Sequence, residues 1–320
     1  MKIFQHDVEK RNFNGENLPL FIYSYSSRGF PDLIERLEHS LPHVPSYLLS
    51  LYDYEYIFPS GLILAEDSRI RIWDSGGYET TICPTCGNSV SLEKWDENTY
   101  IQTANRIPWN GHDILVSYDT PYELISVKQQ LERALHLYAK VKGAYTKDIL
   151  IHVPNNIDPY VLAETLKPFT SEFHILGLTE KEIAPTWAHG VYFINRLRAA
   201  LSAFDMERYI PIHVFGCFDL KTVIRFALAG ADIFDGLTWL RHLFLNGETL
   251  YRREIEYVVP IERLLTADIE LSMILHNLQD MEQARSDLTY AIHTNDMETL
   301  EEEKSEIYEV FRYFDEQEEN

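Results

Sequence analysis

The strongest constraint on this chain is a repeat of short apolar runs, each followed by a turn and then a longer helical stretch. Leu20 to Tyr25 reads as a strand and Pro31 to Leu41 as a helix. Ile70 to Trp73 reads as a strand that runs into Asp74-Ser75-Gly76-Gly77. Asp113 to Tyr118 is the next strand, followed by a helix from about Pro121 to Val141. Asp148 to Val153, Phe173 to Leu176, Ile210 to Phe215 and Ala231 to Phe234 read as further strands. Helices are expected between them, over Pro159 to Leu166, Val191 to Phe204 and Leu220 to Ala229. Runs this rich in Ile, Val and Phe fit strands of a parallel sheet covered on both faces. The number of units favours a closed (β/α)8 barrel, the TIM-barrel architecture of the α/β class, over an open doubly wound sheet.

Length agrees with this. The 320 residues, 45% of them hydrophobic, suffice for one large core. The expected organisation is a barrel over residues 1–259, with a long insertion at 80–112 after the Ile70 to Trp73 strand. A helical extension is expected over 260–320, with helices from about Pro260 to Asp287 and Met297 to Phe314. Nothing but helix is expected after Arg241. No G-x-G-x-x-G or Walker loop follows the first strand, which disfavours a dinucleotide or nucleoside triphosphate site. No apolar run is long enough to span a bilayer, and the first residues show no signal core. The expectation is a soluble cytoplasmic protein. Cys83, Cys86 and Cys217 are the three cysteines, too few for a disulfide framework.

Carboxylates recur where the expected strands end. Asp74, Asp119 and Asp235 each follow an apolar run, as do Glu180 and Glu182. In a (β/α)8 barrel those ends share one rim, where active sites lie. A single such aspartate serves equally well as a helix N-cap. Several together suit glycosyl chemistry, in which one carboxylate attacks an anomeric carbon while another trades protons. A third carboxylate suits the donor edge of a guanine.

These residues carry a resemblance. Asp74-Ser75-Gly76-Gly77-Tyr78-Glu79 resembles the DSGG(F/Y)Q signature of tRNA-guanine transglycosylases. The segment from Ala229 to Arg241, with Asp232, Asp235 and Arg241 in register, resembles that family's nucleophile segment. Tyr118-Asp119-Thr120-Pro121-Tyr122 and Gly177-Leu178-Thr179-Glu180-Lys181-Glu182 are similar to two more of its motifs, in the family's order. The resemblance implies that Asp235 attacks C1′ and expels guanine, and that Asp74 is the general acid/base. It implies that Asp119 reads the guanine-like edge, that Gly177 and Leu178 hold the base through backbone groups, and that Tyr78 stacks on it. Arg241 falls near the nucleic-acid backbone. Stacking and edge reading are also what chemistry on an extruded nucleotide requires.

The chain departs from the family in several places. The family's C-x-C-x-x-C…H zinc site after the nucleophile strand has no counterpart, because no cysteine occurs between Arg241 and Leu264. Glu79 replaces a glutamine, exchanging an amide donor for an acceptor. His152 stands where a glutamine is expected to contact the base, and either His213 or Phe215 is expected on its other face. A zinc ion held by Cys83, Cys86 and Cys217 is weighed against three unconnected thiols. The partners implied are a nucleic acid and a 7-deazaguanine base of the preQ0 or preQ1 kind. The missing zinc segment and altered base contacts tilt the target from tRNA towards DNA, as in DNA-modifying relatives. A non-catalytic paralogue subunit and an unrelated metal-dependent barrel hydrolase are the alternatives.

The net charge of −22 runs against nucleic-acid binding by the whole surface, since phosphate contacts need local positive charge. Asp296 to Asn320 alone carries eleven carboxylates against Lys304 and Arg312. That segment reads as a solvated amphipathic helix or as a docking tail for a basic partner protein.

Overall fold

The computed structural model describes residues 8–28, 34, 37, 40–58, 69–80, 95–120, 125–154, 156–204, 208–245, 248–251 and 269–318. Eight strands form one closed parallel barrel in simple sequential order. They are β1 (Leu20–Tyr25), β2 (Ser46–Ser50), β3 (Ile70–Asp74), β4 (Asp113–Val116), β5 (Thr146–Leu150), β6 (Ile175–Thr179), β7 (Ile212–Phe215) and β8 (Ile233–Gly236). The strands are short and, apart from the half-buried first two residues of β5, buried along nearly their whole length, because their other face is covered by helices. Among the described residues no helix is long and apolar enough to cross a membrane.

The chain divides into two compact units. One comprises Ile22–His152 and Pro168–Gly177. It holds β2 to β5 and the helices α1 (Leu51–Tyr56), α2 (Gly77–Thr80), α3 (Glu97–Ala104) and α4 (Val127–Tyr138). Its helix starts are written in the sequence. The Ser50 hydroxyl accepts from the Asp53 N–H at 3.0 Å, and Ser126 forms a capping box with Gln129. Arg71 and Asp113 pair through two buried bonds of 2.6 and 2.7 Å, tying β3 to the start of β4.

The other unit comprises Met1–Phe21, Val153–Lys167 and Leu178–Asn320. It holds β7, β8 and the helices α5 (Pro159–Leu166), α6 (Glu180–Ile183), α7 (Trp187–Ala203), α8 (Leu220–Ala229) and α9 (Thr238–Arg241). The hairpin β9 (His242–Leu245) and β10 (Glu248–Tyr251) follows, then the helices α10 (Ile269–Thr294) and α11 (Glu301–Glu318). Asp158, Thr186 and Asp219 cap α5, α7 and α8. Asp232, just before β8, accepts from Arg11 Nε at 3.0 Å, Arg198 at 2.5 Å, the Tyr209 hydroxyl at 2.8 Å and the Ile212 N–H at 2.9 Å.

Several sequence expectations need correction. The stretch after Arg241 is not helical throughout: an antiparallel hairpin pairs His242 with Tyr251 and Leu245 with Glu248. The insertion at 80–112 contains a regular helix, α3, started by the Asp96 side chain accepting from the Thr99 N–H at 3.0 Å. Strand β2 and helix α1 were not anticipated. The expected helices near Pro31 and Pro260 begin outside the described residues, as does the first turn expected from Pro121.

Candidate functional site

In the first unit, β3 ends at Asp74, whose Oδ2 accepts from the Gly76 N–H at 3.3 Å. This local bond turns the chain sharply out of the strand. Gly76 takes φ +84°, and a Cβ there would lie 2.6 Å from Tyr52 Cβ, so both conformation and space call for glycine. Gly77 is constrained by space alone: a Cβ there would come within 2.6 Å of Asp119 Cγ. The D-S-G-G sequence thus lets the Asp119 carboxylate rest directly on the backbone after β3. Trp95 Nε1 fastens the turn by donating to the Ser75 carbonyl at 2.9 Å.

Asp119 follows β4 and makes a short bond to His152 Nε2, which follows β5. The His152 backbone is held at both groups by one side chain, Gln130 of α4: its N–H donates to Oε1 at 2.9 Å and its carbonyl accepts from Nε2 at 2.8 Å. Asp119 and His152 are therefore a fixed pair. Tyr78 is 44% exposed, and the Arg28 guanidinium lies 4.5 Å over its ring. The Gly177 carbonyl accepts from the Ile151 N–H at 2.9 Å, so it is engaged in the sheet ladder, and Leu178 is fully buried.

Two buried acids near Asp74 stood outside the sequence-derived site. Asp53 accepts from the Ser27 N–H at 2.9 Å and the Ser27 hydroxyl at 2.5 Å. Burial pushes it up to about 6. Glu79 accepts from the Ser26 hydroxyl at 2.5 Å. Burial, then the charges of Asp53 and Asp74, raise it well above the ordinary carboxyl range. The neutral acid is thereby favoured. A neutral carboxyl is both donor and acceptor, as an amide is.

In the second unit, Asp235 lies within β8 and is only 6% exposed. Its Oδ1 accepts from the Gly216 N–H at 3.2 Å and lies 3.3 Å from His213 Nε2. The fully buried His213 ring sits 3.8 Å from that of the half-buried Phe215, tilted by 31°. Glu180, at the start of α6, is pushed up to about 7 by burial and the charge of Asp219. Arg241 lies at the exposed end of α9.

Cys217 is fully buried in the same unit. Burial and then the charges of Glu180, Asp219 and Asp235 push its thiol well up. Among the described residues no group of three His, Cys, Asp or Glu side chains is arranged to hold a metal ion. Cys83 and Cys86 lie outside the described residues.

No protein-family model matches the chain, and no curated protein matches it either.

Proposed function

We propose that the chain is a base-exchange transferase, a pentosyltransferase that removes guanine from a nucleic acid and installs a 7-deazaguanine through a covalent aspartyl-sugar intermediate. The observation that carries the reading is the setting of Asp235. A carboxylate in the last barrel strand, nearly excluded from water and aligned by the Gly216 N–H, is a preorganised nucleophile.

Attack forms the Asp235–C1′ ester and breaks the bond from C1′ to N9. The bonding electrons leave with guanine, which takes a proton from Asp74. The incoming base returns a proton from its own N9 to Asp74. Its N9 then attacks C1′ and releases the Asp235 carboxylate. Protons, charges and bonds balance over the cycle, and no redox partner is needed. Asp119, fixed by His152, accepts from the N1–H and amino group that guanine and 7-deazaguanines share. Tyr78 and Phe215 supply stacking, and Arg241 a phosphate contact.

DNA is favoured over tRNA as the target, because the chain lacks the cysteines of the tRNA enzymes' zinc segment. The test is incorporation of labelled guanine into duplex DNA and into tRNA, with denaturing electrophoresis to trap the adduct. The expected result is exchange and a covalent complex, both lost in Asp235→Ala. Absence of exchange into either polymer, or an adduct that survives Asp235→Ala, would refute it.

A further inference from the structure

A cavity of about 400 Å³ opens between the start of α7 and the middle turns of α11. Trp187 and Ala188 form one wall, and Val310, Tyr313 and Phe314 the other. Its lining is almost wholly apolar, while Glu306 and Glu309 stand in its rim. His189 also lines the cleft and meets the Phe314 ring edge-on at 5.2 Å, while Tyr192 stacks on Phe314 at 4.5 Å. Tyr313 remains 59% exposed despite lying in the wall.

We propose that this cleft docks a basic segment of a second protein, which inserts one aromatic or long aliphatic side chain flanked by lysine or arginine. Three observations select that occupant. The volume suits one or two large side chains, within the usual range of ligand pockets. The chain already displays the favoured chemistry: Arg225 lies 4.2 Å over the Trp187 ring while bonding Glu306 at 2.5 Å. A guanidinium between an indole face and a carboxylate is thus at home on this rim. Finally, α11 carries eight carboxylates against Lys304 and Arg312, and Glu301, Glu302, Glu309 and Glu316 are exposed.

The same charge disfavours the other occupants. A second copy would bring a net charge of −22 against −22, and a nucleic acid would bring phosphates against carboxylates. The inference is independent of the base-exchange reading.

The test uses the full chain and a fluorescein-labelled, lysine-rich peptide with one central tryptophan, followed by anisotropy at low salt. Saturable binding is expected, weakened about tenfold or more when alanine replaces the tryptophan or glutamates replace the lysines. Glu309→Lys and Tyr313→Ser are exposed changes that leave the fold intact, checked by thermal melting. Each is expected to weaken the parent peptide about tenfold. Lack of saturable binding, or binding indifferent to both substitutions, overturns the proposal. So does sedimentation showing a dimer that Tyr313→Ser dissolves, which would assign the cleft to a second copy.

Discussion

The Asp232 network permits a prediction independent of substrate. Asp232 is fully buried, and it is the shared ion-pair partner of two guanidinium groups that are themselves almost fully buried, Arg11 and Arg198. Asp232→Ala leaves both cations without a counter-charge and strips partners from the Tyr209 hydroxyl and the Ile212 N–H. Part of their solvation survives: Arg11 still donates to the Ala231 carbonyl at 2.7 Å, and Arg198 to the Ile210 carbonyl at 2.9 Å. Removing one partner of a buried ion pair costs about 3–5 kcal/mol, and the surviving carbonyls keep the expected loss in that range. With about 2.1 cal/mol/K of unfolding entropy per residue over 320 residues, the melting temperature should fall by roughly 4–7 °C. Asp232→Asn separates charge from shape. It keeps one acceptor and nearly the same volume, yet places an amide donor among guanidinium donors. It should therefore cost nearly as much as alanine. Urea unfolding of parent and both variants reads the difference. An asparagine variant within about 1 kcal/mol of the parent would show that shape, not charge, holds the strand. Because Asp232 stands immediately before the strand that carries Asp235, both variants should also lower the proposed base exchange.

Gly77→Ala requires Asp119 to retreat by about 1 Å, and a displacement of that order costs roughly hundredfold in rate. Exchange kinetics unchanged in a folded Gly77→Ala protein would remove Asp119 from the reaction. Asp53 and Glu180 are raised to about 6 and about 7, so the folded state binds their protons more tightly than the unfolded chain. Their stabilising contribution is full at low pH and is lost as pH rises through those values. Melting curves between about pH 5 and pH 8 should show a decline that is smaller in Glu180→Gln. A decline of equal size in parent and variant would contradict it. Asn277 of α10 donates to the Trp239 and His242 carbonyls at 2.7 and 2.6 Å and accepts from the Phe244 N–H at 2.9 Å. Asn277→Ala should cost roughly 3 kcal/mol in denaturant unfolding, and a loss under about 1 kcal/mol would mean that water replaces the amide.

Seven of the eight barrel strands are legible in the sequence, because a strand buried on both faces writes itself as a short apolar run. The eighth, Ser46–Ser50, is hidden by its surroundings. It passes into α1 without a break, since Ser50 ends the strand and caps the helix at once. The apolar stretch therefore shows no change of period. The hairpin after Arg241 had a readable mark: Asn246-Gly247 separates two runs, a strong two-residue turn signal. The expectation of continuous helix beyond Arg241 overrode it.

The candidate site was legible to the extent that its residues stand at strand ends. Asp74, Asp119 and Asp235 could be picked out because the barrel's alternation makes strand ends countable. Glu79 could not be read in the same way. Its proton is governed by Ser26 after β1, Asp53 in α1 and Asp74 at the end of β3, which only the fold gathers. On paper, glutamate for glutamine exchanges a donor for a charge. In the fold, nearly complete burial and two neighbouring carboxylates oppose that charge and favour the form that keeps a donor. Glu79→Gln should consequently preserve base exchange at neutral pH, whereas a charged Glu79 would make the same substitution change the rate and its pH profile.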